Sequence, residues 1–429
     1  MGDHHHIEGN IHEKYSLDDQ TKKYLFGFIG GGLLLVVIGL VLSMSGGHEA
    51  GHGHGEHHGG LLTAVWLRQL FSNLLINTYF FAGISILAVF FLAIKTVSNA
   101  GWYVVIKRVP EAISEYLPIG LILLGITLLG GLFTHSLYLW SDEHALKADH
   151  HYHVIKEKLG YLNIGFFTGR MIVIFILWIV FQRLFMKFSK EQDNPATALS
   201  SFNNSFKTAA IFLFVFAITM SIASWDWFMS IVPAWFSTMF GVYIFSSSWV
   251  SSLAMVTLLV IYLKKRGYMG YVNENHIHDL GKFVFAFSIF WTYIWFCEYL
   301  LIWYANIPEE TFYFYNILHS KLYLTIFIGK FLINFILPFF ILMTRDAKRN
   351  MKTLAVVCCL VLFGHWLDLY IAVFPGTLTH EGIFGPMEIG MFLMFLGIFG
   401  YFVLNKLSQR SLVAEHHPYL EESLHHHVF

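Results

Sequence analysis

Three neighbouring apolar runs decide the fold: FSIFWTYIWFCEYLLIWYA at 287–305, KLYLTIFIGKFLINFILPFF at 321–340 and VVCCLVLFGHWLDLYIAVF at 356–374. As helices rising 1.5 Å per residue, each is long enough to cross roughly 30 Å of hydrocarbon. Each also carries ionisable groups that hydrocarbon penalises: Glu298 in the first, Lys330 in the second, His365 and Asp368 in the third. A charge near the centre of a bilayer costs about 2.5–3.5 kcal/mol on insertion scales. Three adjacent helices bearing that cost point to a purpose, and protons are the simplest cargo.

The rest of the chain has the same character. Of its 429 residues 56% are hydrophobic and 13% charged, and mean hydropathy is +0.58. These values exclude an ordinary water-soluble domain and indicate an all-α integral membrane protein. A formal net charge of −1 supplies no global field to recruit nucleic acid or an acidic partner. Cys297, Cys358 and Cys359 all fall in apolar runs, where they pack as small hydrophobes outside any disulfide framework. Nothing reads as CxxCH, a ferredoxin-like cysteine run or a structural zinc site. A cytochrome b would need paired histidines on two helices, whereas only His135 and His365 are clearly intramembrane, with His319 at a helix edge. The chain is therefore expected to bind no redox cofactor and no metal of its own. His48, His52, His54, His57 and His58 form a Gly/His tract that could take a metal, but flexible glycine spacing does not preorganise ligands.

Ten apolar runs reach spanning length, at about 24–44, 76–97, 117–139, 161–186, 206–223, 236–263, 283–304, 322–343, 354–374 and 387–404. The first has no A-x-A site and is expected to remain as a span. Lys and Arg test the count independently through their bias toward cytoplasmic loops. Alternating the loops places twenty on one side and five on the other, with Arg170 and Lys330 inside the membrane. A missed or extra helix would scramble that asymmetry, so both termini are expected in the cytoplasm. Without the first and last helices, the other eight fall into two four-helix bundles. The expected organisation is 1–60 for the N-terminal tail, first helix and His-rich external loop, 61–224 and 225–375 for the bundles, and 376–429 for the last helix and tail. LLTAVWLRQLFSNLL at 61–75 reads as an amphipathic helix on the outer interface. SWDWFMSIVPAW at 224–235 reads as the external turn joining the bundles.

Helix direction fixes depth. Lys330 and His365 lie near mid-membrane, Glu298 somewhat outward, and Asp368 one turn outward of His365 on the same helix face. Glu298, Lys330, His365 and Asp368 can therefore share one polar interior. One interpretation is a chain of protonatable groups, with the carboxylates as acid and base, Lys330 keeping one of them ionised and His365 as relay. The other is a buried structural pair fixing helix register. Arg170 in the first bundle and Asp226 in the turn that joins the bundles are further candidates for a proton path. His135, Asn73 and Asn77 approach the outer leaflet, where an imidazole could accept a proton from a quinol hydroxyl. The alternative is that His135 reaches the headgroups and Arg170 neutralises a neighbouring carboxylate.

The stretch FCEYLLIWYANIPEETFYF at 296–314, the HWLDLY segment at 365–370, SWDWFMS at 224–230 and the ten-helix layout resemble the ActF subunits of alternative complex III, within the NrfD or polysulfide-reductase membrane-subunit superfamily. The similarity covers about 61–407. It implies a subunit of a bacterial respiratory complex in the inner membrane that oxidises quinol, with menaquinol the expected substrate, and passes electrons to cytochrome c or a terminal oxidase. It also implies partner subunits carrying iron–sulfur clusters and c-type haem, a homologous membrane subunit as the stronger site of quinol oxidation, and a part for this chain in proton translocation. His135 would correspond to the superfamily's quinol-site histidine. Residue chemistry alone equally allows a proton-coupled secondary transporter or a purely structural anchor.

Overall fold

A computed structural model describes residues 12–46, 64–378 and 383–427. Among these residues ten helices are long and apolar enough to cross a membrane. They are Asp19–Ser45, Val65–Val97, Arg108–Phe133, Ile164–Glu191, Ala198–Ile231, Phe240–Lys265, Glu274–Ala305, Lys321–Ile341, Met351–Leu378 and Pro386–Leu407, numbered below as spans one to ten. The protein is thus an all-α, multi-pass membrane protein. Helices are what such a sequence must form, because hydrocarbon offers no partner to an unpaired backbone group. The His-rich tract lies outside the described residues.

Polar residues punctuate the spans. Asn163 caps span four by accepting from the Phe166 N–H at 2.9 Å, and Asn273 caps span seven with its side chain on the His276 N–H at 3.2 Å. Asn306, at φ 49°, ends span seven in a left-handed turn, and Pro308 opens the short helix Pro308–His319. NIPEET is therefore a turn leading into a helix. Span eight is interrupted by a π-helical turn at Leu332–Ile336. Pro338 follows it, and a proline there cannot donate to the preceding turn.

Spans two to five pack together, as do six to nine, and spans two and five contact the second group through spans six and nine. Spans two, six and nine are the most enclosed, with 83%, 83% and 78% of their apolar windows buried. Span one lies on the periphery against span ten, with only 17% of its window buried. Glycines allow that pair to approach backbone to backbone. A Cβ on Gly32 would fall 2.5 Å from the Met394 nitrogen, and one on Gly390 would fall 2.7 Å from the Gly32 oxygen. This is the small-residue packing that brings membrane helices together where apolar burial drives nothing.

Three expectations change in the structure. The described part of segment 61–75 does not form a separate interfacial helix, because span two runs unbroken from Val65 to Val97. Its polar residues face protein: Ser72 bonds Thr377 at 2.9 Å, and Gln69 bonds Glu388 at 2.8 Å. Span five is longer than its apolar run suggests, and Trp225, Asp226 and Trp227 close its α-helical part, before the 3-10 turn Met229–Ile231, rather than forming a loop. Span three starts at Arg108 and stops at Phe133, so 134–138 form a turn with His135 at φ 54°, and Leu139–Ser141 is a short 3-10 helix.

Gly390→Leu should force spans one and ten apart at a cost of about 1–3 kcal/mol. A lowered thermal unfolding midpoint in detergent would show this, whereas Gly30→Leu, where a Cβ meets nothing within 4 Å, should leave the midpoint unchanged.

Candidate functional site

The site is assembled from four spans, each supplying one kind of group. Span nine contributes Asp368, buried to 1% exposure, and span eight contributes Lys330, equally buried, with Nζ 2.6 Å from Asp368 Oδ1. Span six adds Tyr243, whose hydroxyl donates to the same carboxylate oxygen and accepts from Lys330 Nζ at 3.1 Å. From span seven, the Trp291 indole N–H donates to Asp368 Oδ2 at 3.0 Å. The ammonium also sits among aromatic rings, 5.4 Å from the centroid of Trp295 and 5.2 Å from that of Phe327. Removing two charges from water costs several kcal/mol per ion, and only good pairing with further hydrogen bonds offsets it. Here the carboxylate has three donors and the ammonium has a carboxylate, a hydroxyl and aromatic faces.

His365 lies one turn before Asp368. Its Nδ1 is 3.9 Å from Asp368 Oδ2, beyond hydrogen-bond length. The same nitrogen is 3.0 Å from Ser247 Oγ and 3.4 Å from Asn334 Nδ2. Its Nε2 is buried with no hydrogen-bond partner among the described residues. One imidazole nitrogen is thus held by hydroxyl and amide while the other is left without a hydrogen-bonding group among the described residues. Asn334 stands in the π-helical turn and reaches span nine at Gly364, where a Cβ would lie 1.9 Å from its Oδ1. Glycine at 364 is what admits this side chain beside the histidine.

Glu298 is buried apart from the Lys330–Asp368 pair, and Ser237 Oγ donates to its Oε1 at 2.5 Å. Tyr313, in the short helix after span seven, stacks on Trp235 with centroids 4.1 Å apart. Burial, then the charges of Glu298 and Asp368, hold its phenol well above the usual range.

Arg170 and Asp226 form a separate two-pronged pair, with Nε–Oδ2 at 2.6 Å and a terminal nitrogen 3.0 Å from Oδ1. Arg170 also donates to the Tyr161 carbonyl at 3.1 Å and lies 3.7 Å from the Tyr161 ring centroid. No hydrogen bond or ion pair joins this pair to the Lys330 cluster among the described residues. It has the geometry of a clamp between spans four and five.

Among the groups considered for quinol, His135 is partly exposed and its Nδ1 lies 2.9 Å from Ser141 Oγ. Asn73 and Asn77 turn toward spans nine and ten. Asn73 donates to Glu388 at 2.9 Å, and Asn77 accepts from the Trp366 indole at 3.1 Å. A quinol held by these amides would have to displace those bonds.

Sequence reasoning missed several partners. Tyr243 precedes SSSWVSS at 246–252, and Ser246, Ser247, Ser248, Ser251 and Ser252 are all buried. A serine-rich apolar span signals a polar interior face, which was the available clue. Glu388 was missed because it opens span ten in GPMEIGM. It is fully buried and accepts from Gln69, Asn73 and the Gly385 N–H, the last at 2.7 Å. Among the described residues no three His, Cys, Asp or Glu side chains gather as a metal site.

Neither the family models nor the curated proteins compared with this chain give a match.

Lys330→Met should destabilise the protein by about 3–5 kcal/mol, since it strands a buried carboxylate. Adding Asp368→Leu should recover part of that loss. Denaturant unfolding in detergent of the two single variants and the double variant checks this, and strictly additive losses would contradict it.

Proposed function

We propose that this chain is the membrane subunit of a bacterial quinol-oxidising respiratory assembly of the alternative complex III type, and that it carries protons while electrons move on partner subunits. The observation that supports this most is the sealed Lys330–Asp368 pair with an imidazole beside it and a second buried carboxylate, Glu298, on the next span. A pair meant only to hold helices together has no use for that extra imidazole and carboxylate. The likeness of 296–314 to the family supports the assembly, with iron–sulfur and c-type haem subunits and a homologous membrane subunit as partners. Menaquinol or another quinol would be oxidised chiefly on those partners. The Lys and Arg asymmetry supports an inner-membrane orientation with cytoplasmic termini.

In this reading a proton arriving through His365 neutralises Asp368 and releases Lys330 from its partner. The freed ammonium is then drawn toward ionised Glu298, since an unpaired buried cation is strongly disfavoured. Its return to Asp368 expels the proton. The π-helical turn that begins two residues after Lys330 gives that stretch of backbone a ready means of adjustment.

The test is to purify the chain with its partners, reconstitute the assembly in liposomes and measure proton movement with a pH-sensitive dye during quinol oxidation. Asp368→Asn and Glu298→Gln should each lower the protons moved per electron while leaving haem and iron–sulfur content intact. An unchanged ratio in both variants rejects the proton path. Solute uptake by the chain purified alone would instead identify a proton-coupled transporter.

A further inference from the structure

A second feature lies at the Lys- and Arg-rich ends of spans three, four and ten, where a cavity of about 270 Å³ opens. Five cations line it, Arg108, Arg183, Lys190, Lys406 and Arg410, against two carboxylates. The carboxylates are already engaged. Glu111 accepts from Arg108 at 2.8 Å and from Ser189 at 2.7 Å, and Glu115 lies 3.7 Å from Arg183. Asp193, behind the cavity, accepts from Arg108 and, at 3.0 Å, from Arg410. Lys190 makes no ion pair among the described residues, and Lys406 rests 5.6 Å from the Phe402 ring centroid. The cavity therefore presents an excess of positive charge.

Two independent observations indicate what it takes. Arg108 is 4% exposed, yet its Nε–H is buried with no acceptor among the described residues. Such a donor is costly to leave unsatisfied, and Arg108 lines the cavity, so a small shift of its guanidinium toward a bound anion would give that N–H an acceptor. In addition, apolar side chains lead from the cavity into the membrane. Ile119, Ile122 and Ile126 follow Glu115 at helical spacing on span three, with exposures of 38%, 61% and 64%. On span four, Ile176 and Val180 lie above Arg183 in the same manner, at 55% and 47%.

We propose that this cavity binds the phosphate of an anionic phospholipid from the adjoining leaflet, with its acyl chains along the two apolar stripes. Guanidinium and ammonium groups recognise phosphate oxygens by charge-assisted hydrogen bonds, and basic pockets between spans at a membrane face suit anionic headgroups. Free phosphate shares that chemistry but makes no use of the stripes.

The test uses the full chain in neutral detergent, with retained lipid counted by native mass spectrometry, which reads the folded protein. Phosphatidylglycerol should be retained, phosphatidylcholine should not, and inorganic phosphate at equal concentration should not displace the bound lipid. Arg183→Gln, Lys190→Gln and Lys406→Gln should each weaken phosphatidylglycerol binding about fivefold, while Arg183→Lys, which keeps the charge, should retain it. Equal retention of both lipids, displacement by inorganic phosphate, no loss when Arg183→Gln, Lys190→Gln and Lys406→Gln are combined in one chain, or a loss in Arg183→Lys matching that in Arg183→Gln would each overturn the proposal.

Discussion

Burying Lys330 against Asp368 imposes a condition on four helices at once. Neither charge is tolerable alone at that depth. The groups that make the pair tolerable come from different spans: Tyr243 from the sixth, Trp291 from the seventh, Lys330 from the eighth and Asp368 from the ninth. Apolar helices slide past one another at little cost, since lipid chains are as apolar as leucine. A hydrogen-bonded ion pair does not slide. The cluster thereby sets depth and rotation for spans that hydrophobicity alone leaves undetermined.

The surroundings of the pair separate it from the other ionic contacts in the chain. Arg170 and Asp226 are matched two nitrogens to two oxygens, and aromatic rings cover the guanidinium. That geometry satisfies both partners and leaves little for chemistry. Around Asp368 the bonding is uneven, because one carboxylate oxygen takes both the ammonium and the phenol while the other takes an indole. An imidazole with one unbonded nitrogen stands a turn away. The break in span eight begins two residues after Lys330, and Gly364 opens the room that Asn334 needs. Irregular backbone at membrane depth is tolerated where protein surrounds it, and here it adjoins the ionisable groups.

Much of this was legible in the residues. Spanning length and the Lys and Arg asymmetry recovered ten spans, and charges inside apolar runs marked Lys330, His365 and Asp368, which do come together. What stayed hidden had physical causes. Tyr243 and Trp291 look like ordinary aromatic packing residues until a carboxylate faces them. Glu388 sits in the first turn of a helix, where an acidic residue normally reflects capping. Segment 61–75 has a polar stripe that water or protein can satisfy equally well, and only the positions of Thr377 and Glu388 decide for protein. The fifth span exceeds its apolar run because its ends pass through polar residues that helical hydrogen bonding still accommodates.

The sequence by itself determined the helical class, the number of helices long and apolar enough to cross a membrane, and which charges lie within them, because those follow from transfer costs summed along a single strand of residues. Only the tertiary structure decided which charges meet. It pairs Lys330 with Asp368 and leaves Glu298 with Ser237, and it puts a phenol and an indole on the carboxylate. Such partnerships depend on helix rotation and separation, set by close packing between segments far apart in the chain, and no single run of residues encodes them.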